Sequence, residues 1–289
     1  MKISELLKKI KPSFSFEFFP PKTDEDVRQL FQTAETLKAL NPTYVSVTWG
    51  AGGSTHRKTI DTVCGIKKNL GIDTLAHLTC VGASQDDLTA ILGELQERGV
   101  ENILALRGDP PKGETQFVPA PDGFSHADQL VAHIRRSWGF CIGVACYPER
   151  HPESASPEAD IDHFIGKVEA GADFAATQLF FDNRFYFEFV EKVAKRGVRI
   201  PILPGLMPIT SVSQIKRFTS LCGATVPKAL MAELERRQDD PAAVIQLGIE
   251  HSTRQAEELL RRGAPGIHFY TMNRSLSTEK IVRNLLGRV

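Results

Sequence analysis

Two periods of hydrophobicity alternate along this chain. Short runs in which every second side chain is apolar, the period of a strand, alternate with longer segments of helical period. The first strand, over 13–19, is strongly aromatic: Phe14, Phe16 and Phe18 share one face, Ser15 and Glu17 the other, and Pro20-Pro21 stops it. A helix over 24–40 follows, opened by Thr23 or Asp24 as cap. Further strands are predicted over 44–48, 74–80, 102–107, 141–147, 174–178, 200–204 and 266–270. The helices between and after them cover 55–70, 84–98, 125–138, 157–170, 184–196, 211–221 and 276–286. Residues 1–11 form a short amphipathic helix ahead of them. An extra helical stretch lies between the seventh and eighth strands, with Pro227 and Pro241 in first turns.

Eight strand–helix units in one chain predict an α/β fold of the (β/α)₈ barrel type, a single domain over 1–289. An open doubly wound sheet is the alternative, but no Gly-rich nucleotide fingerprint follows any strand. The inward faces add a second argument. Ser15 precedes Glu17, Ser46 precedes Thr48, Ala105 precedes Arg107, Ala145 precedes Tyr147 and Ala176 precedes Gln178. Each strand then carries a small residue followed by a larger polar one at its C-terminal end, with Leu104 and Leu106 among the outward partners. Active sites of barrels are built at those ends.

Charge and cysteine content narrow the class. The 289 residues hold 35 Lys and Arg against 35 Asp and Glu, which predicts neither a nucleic-acid nor a membrane-surface partner. No apolar run is long enough for a bilayer span, and the N-terminus does not read as a secretory signal. Five cysteines without a CxxC, mostly in apolar stretches, predict reduced thiols and a cytoplasmic protein. No His-x-His, HExxH or paired Cys/His spacing suggests a metal, and no Gly-x-Ser-x-Gly or P-loop occurs.

The chemistry therefore rests on strand ends. An acid at position 17, at the last turn of an aromatic strand, is costly unless it is paired, neutral or employed. Arg107-Gly108-Asp109 ends the fourth strand, as a turn or as part of a site, before a loop long for its kind. Gln178 ends the buried sixth strand with an amide that needs a donor and an acceptor, which the amide-like edge of a heterocycle supplies. His77 lies within the third strand, where a satisfied barrel histidine is the simpler reading. His151 lies in a loop near the mouth.

In this order, Phe16-Glu17-Phe18-Phe19-Pro20-Pro21, Val45-Ser46-Val47-Thr48, Ala76-His77-Leu78-Thr79-Cys80 and Arg107-Gly108-Asp109 resemble the methylenetetrahydrofolate reductase family. Ala145-Cys146-Tyr147-Pro148-Glu149, Thr177-Gln178-Leu179-Phe180-Phe181-Asp182, Pro204-Gly205-Leu206-Met207-Pro208 and Phe269-Tyr270-Thr271-Met272-Asn273-Arg274 extend the likeness over nearly the whole chain. The resemblance implies a barrel that holds FAD and reduces 5,10-methylenetetrahydrofolate to 5-methyltetrahydrofolate with NADH or NADPH. It implies folate and nicotinamide as small-molecule partners, a homo-oligomer, and a place in methionine biosynthesis. It also implies a bacterial-type enzyme, without the regulatory domain of eukaryotic relatives.

Carried over by position, the resemblance makes Glu17 the general acid and places Asp109 near flavin and pterin. Gln178 would hold the pterin, and Thr48 would bond at the flavin. His77, Leu106, Arg107, Gly108, His126, Ala127, Ala145, Tyr147, His151, Asp160 and Lys167 would line the FAD. Arg107 and Lys167 would neutralise its pyrophosphate. Gln214, Phe218 and Arg274 would lie near folate or nicotinamide. The family often has Tyr where His126 stands, and Tyr-Gly where Trp49-Gly50 stands. The apolar flanks of Glu17 are expected to hold its pKa up, as an acid near neutral pH requires. Two other readings stay open: a different flavin barrel of the proline dehydrogenase type, and a non-redox pterin-binding barrel.

Overall fold

A computed structural model describes residues 1–50, 53–110, 113–114 and 116–287. Its strands are β1 (Ser13–Phe18), β2 (Tyr44–Val47), β3 (Thr74–Thr79), β4 (Asn102–Leu106), β5 (Cys141–Cys146) and β6 (Phe174–Thr177), then β7 (Ile202–Leu203), β8 (Gly205–Leu206) and β9 (Gly266–Tyr270). All pair in parallel, in the order β7-β6-β5-β4-β3-β2-β1-β9-β8. The seventh strand, expected over 200–204, instead runs on to Leu206 and is split at Pro204, which has no N–H to give. Its first half pairs with β6 and its second half with β9, so the two halves join the ends of the sheet into a barrel.

The helices are α1 (Ile3–Lys9), α2 (Asp24–Lys38), α3 (Gly53–Leu70), α4 (Gln85–Glu97), α5 (Ala127–Ser137), α6 (Pro157–Glu169), α7 (Asn183–Lys195), α8 (Val212–Cys222), α9 (Lys228–Arg236), α10 (Pro241–Arg261) and α11 (Leu276–Leu286). Their starts follow local chemistry. Thr23 and Asp26 form a capping box on α2, and Ser84 and Asp87 form one on α4. Pro241 is the first residue of α10, as expected. Pro227 instead stands one position outside α9, as its N-cap, because its ψ of 131° is extended.

Strand alternation sorts the core into two layers. Phe16, Phe18, Val45, Val47, Ile103, Ala105, Ile142 and Val144 face outward against the helices. Burying a side chain such as Phe16 contributes about 2–3 kcal/mol. Inside the barrel, Tyr44, Leu75, Leu104, Cys141, Phe174 and Leu203 pack together, and Ile3 and Leu7 of α1 join them. On β4 the phase is opposite to the one read from the sequence: Leu104 and Leu106 point inward and Ala105 outward. The reason lies across the register, where Leu104 pairs with Gly143. A Cβ on Gly143 would come within 3.0 Å of Leu104 Cδ1 and 2.6 Å of the Phe174 ring, so the missing side chain makes room for the leucine. A separate cluster of Leu179, Phe181, Met207, Ile209, Val212, Ile215 and Leu234 seats α8 and α9 beside the rim.

Candidate active site

The C-terminal ends of the strands surround one cavity of about 1410 Å³. Following the barrel round, its wall takes Glu17 from β1, Thr48 after β2, His77 and Thr79 from β3, and Leu106 to Asp109 at the end of β4. Ala145 and Tyr147, Ala176 and Gln178, Met207, and His268 and Tyr270 complete the ring. Ala127, His151, Lys167 and Phe218 reach it from the elements behind.

Glu17 is at the floor, 9% exposed. β1 alternation turns Phe16 and Phe18 into the outer core and Glu17 into the barrel. There its Oε2 stands 3.3 Å from His268 Nε2 and 3.4 Å from His77 Nε2. His268 Nδ1 is in turn 2.8 Å from the Ser15 hydroxyl, one inward position below. Burial pushes the Glu17 carboxyl up, but the His268 hydrogen bond, the facing His77 and Ser46 outweigh it, so the group sits below its ordinary value. The expectation of a raised pKa is therefore not met here: burial acts in the expected direction, but the imidazoles and Ser46 facing the carboxyl inside the barrel outweigh it. His77 is driven down to about 4 by burial, against the pull of Glu17, and is neutral at pH 7.

The fourth-strand motif is arranged differently. Gly108, at φ +89°, turns the chain at the rim. Arg107 is committed on every side: its Nε donates to the Gly108 carbonyl at 3.1 Å, and its two terminal nitrogens meet the Glu153 carboxylate at 2.5 and 2.9 Å. Its guanidinium also lies 5.1 Å from the centre of the Phe117 ring. This bidentate pair divides the cup from a side cavity of about 440 Å³ that holds His126 with Gln116, Phe117, Pro119 and Ser125. Asp109 is exposed at the rim, and Pro111 lies outside the described residues.

On β5 and β6, Tyr147 packs edge-on against His151, 4.7 Å between centroids, and burial raises its phenol. Asp160 does not line the cavity; it accepts from the His151 N–H at 3.1 Å and from Ser154 at 3.2 Å, fixing the loop that does. Lys167 donates to the Ala145 carbonyl at 2.6 Å, and burial lowers its pKa. Gln178 Oε1 accepts from the Leu179 N–H at 2.8 Å. Gln214 bonds Thr210 beside the cap of α8 and Arg274 is exposed; neither lines the cavity. His268 and Tyr270 were not singled out from the sequence, although their alternation with Ile267 and Phe269 marks both as inward. His56, stacked on Trp49 at 4.6 Å in the same wall, was also missed.

A parallel barrel whose C-terminal cup has a buried acid and two imidazoles on its floor and a half-buried lysine in its wall defines a small-molecule site of the barrel-enzyme kind. A sequence profile of the methylenetetrahydrofolate reductase family matches residues 2–286. The chain is 36% identical over 272 residues to the 5,10-methylenetetrahydrofolate reductase of Escherichia coli, covering 94% of this chain and 90% of that protein. It is 38% identical over 295 residues to methylenetetrahydrofolate reductase (NADH) 1 of Arabidopsis thaliana, covering 98% of this chain and 50% of that protein. The chain thus spans about half the length of the plant relative. A solved structure of a Clostridium thermocellum protein, described as binding two copies of 5-methyl-5,6,7,8-tetrahydrofolic acid, superposes with a TM-score of 0.66 at 16% identity, covering 98% and 97% of the two chains. That likeness shows a shared fold. The chain belongs to the methylenetetrahydrofolate reductase family.

Proposed function

We propose that this chain reduces 5,10-methylenetetrahydrofolate to 5-methyltetrahydrofolate with NADH or NADPH, using FAD held in the cup. Beside family membership, one observation carries the reading: the Glu17 carboxylate, backed by His77 and His268, on the floor of a cavity roomy enough for a dinucleotide and a second ring.

The residues present fit a flavin dinucleotide. Leu106, Ala145 and Ala176 offer the apolar surface a flat ring needs, and Thr48, His77 and Tyr147 offer polar groups for its edges. For the diphosphate the better cation is Lys167, which makes no ion pair among the described residues, whereas Arg107 is engaged by Glu153. When bound, FAD supplies the hydride chemistry between nicotinamide and folate.

Reduction of the folate requires its five-membered ring to open, and the leaving nitrogen, N10, requires a proton. Glu17 supplies it in this reading. A ring lying over the carboxyl keeps water from it and strengthens burial, the largest influence on Glu17 and the one that raises its pKa. Asp109 provides negative charge near the cationic pterin that results, and Gln178 pairs with the pterin edge. Phe218 packs on whichever ring, nicotinamide or pterin, occupies the cup, and alternation of the two gives ping-pong kinetics. Gln214 and Arg274, off the cavity wall, have a role only with substrate bound.

The test is anaerobic. NADH added to the purified yellow protein bleaches the flavin absorbance, and methylenetetrahydrofolate added next restores it. A colourless folded protein, or a reduced flavin that the folate leaves unchanged, overturns the proposal.

A further inference from the structure

One contact at the rim has no part in the chemistry above. Glu149, in the loop between β5 and α6, accepts from the Thr225 N–H at 2.9 and 3.2 Å and from the Thr225 hydroxyl at 2.7 Å. Thr225 comes just after α8, which leaves its last turn through Gly223 at φ +73°. Helix α8 contributes Phe218, Leu221 and Cys222 to the cavity wall; the β5–α6 loop contributes Tyr147, His151 and Pro152. The contact thus joins two walls that the strand order separates. It runs from the loop after β5 to the helix after β8, past the end of β6, where Gln178 stands.

The loop is the fixed partner. Asp160 holds His151 and Ser154, and the Glu153 N–H donates to His151 Nδ1 at 3.1 Å. Helix α8 is held less firmly. Val212 and Ile215, near its start, are buried in the cluster beside the rim, while Leu221 in its last turn is 67% exposed. Its far end packs against the same cluster only through the half-buried Phe218 and Cys222, with Ala224 and Val226 just after it, and is otherwise seated on Glu149 and on Pro152, whose Cγ lies 3.2 Å from where a Cβ on Gly223 would stand. Burial pushes the Glu149 carboxyl up and Asp182 adds to this, while the Thr225 hydrogen bonds oppose it. An ionised carboxylate here therefore costs folding stability rather than adding to it.

We infer that Glu149 is a positioning residue: through Thr225 it sets where the second half of α8 stands, and so the width of the cup between Phe218 and Gln178. The inference rests on the proposed reductase activity for its kinetic consequence, and on geometry alone for its structural one.

Four variants and two readouts test it. Glu149→Ala raises KM for methylenetetrahydrofolate about tenfold, with kcat within about twofold and flavin content unchanged. Thr225→Val, which removes one hydrogen bond, raises it about threefold. The double variant is no worse than Glu149→Ala, because both act through one link. Glu149→Gln stays near wild type, since its amide oxygen still accepts from the Thr225 N–H. Independently of turnover, alkylation of Cys222 by iodoacetamide, followed by mass spectrometry, is several-fold faster in Glu149→Ala, because the end of α8 is released.

Unchanged KM and unchanged Cys222 labelling in folded Glu149→Ala overturn the inference. Should that variant not fold, the same two results in Thr225→Val overturn it. A wild-type protein that shows no reductase activity sinks the functional reading instead, and the labelling then decides the role of Glu149 alone.

Discussion

On the side of the cup formed by β1, β3 and β9, three strands carry Glu17, His77 and His268 into one another; strand alternation sets their direction, and the Ser15 hydroxyl holds the His268 ring. On the side formed by the ends of β4 and β5, Arg107, Asp109, His151 and Glu153 stand on loops, and neighbours aim them: Arg107 and Glu153 hold each other, Phe117 flanks Arg107, and Asp160 holds His151. In the proposed function the difference separates two tasks. Proton transfer tolerates little misplacement, and its group sits on strands. Holding a long cofactor requires reach, and its groups sit on loops that a few hydrogen bonds make rigid.

The largest effect is expected at the strand-borne acid. Glu17→Gln lowers the folate half-reaction about 10³-fold while flavin reduction by NADH stays within about threefold. Stopped-flow traces of the two half-reactions check this separately. Equal loss in both would mean that Glu17 organises the cup rather than giving a proton.

On the loop side, two cations that the resemblance treats alike separate by structure. Among the described residues Lys167 meets a carbonyl and the Phe164 ring but no carboxylate, and Arg107 already has a carboxylate. Lys167→Met weakens flavin binding about 100-fold, measured by fluorescence of released flavin, whereas Arg107→Ala weakens it about threefold. The reverse order would show that cofactor phosphate displaces Glu153. Between the two sides, Gln178→Ala costs about tenfold in folate Kd with flavin retained, the scale of one or two hydrogen bonds. An unchanged Kd removes Gln178 from the pterin.

The same division decides what could be read from the sequence. The strands, the barrel and the inward face of Glu17 were legible because Phe14, Phe16 and Phe18 alternate with Ser15 and Glu17. The phase of β4 was not, because Ile103, Leu104, Ala105 and Leu106 are all apolar and alternation carries no signal there. Gly143 on the next strand decides it. The partner of Arg107 was hidden too: Glu153 lies 46 residues away on another loop, and only the pairing of β4 with β5 brings the two together. The pKa of Glu17 was misjudged for a related reason. Its flanking phenylalanines are neighbours in sequence, while its neighbours in space are imidazoles from β3 and β9.

The smallest effect asks whether the strand-borne cluster is an ion pair or a carboxylate beside a neutral ring. Burial holds His77 at about 4 and, outside the cup, holds His251 at about 4 as well. The unfolded chain takes up those protons near pH 6.5 and the folded protein does not, so stability falls as the pH drops from 6.5 toward 4. Each histidine contributes on the order of 1 kcal/mol of that loss between pH 7.5 and 6. Glu17 adds nothing in this window, because a lowered carboxyl contributes only as the pH falls below its ordinary value of 4.5. Urea unfolding at the two pH values should therefore show the same reduced pH dependence in His77→Asn as in His251→Asn. If His251→Asn reduces it and His77→Asn does not, His77 is protonated in the folded protein. The floor of the cup would then hold a closed ion pair, with no carboxyl free to take up and deliver a proton.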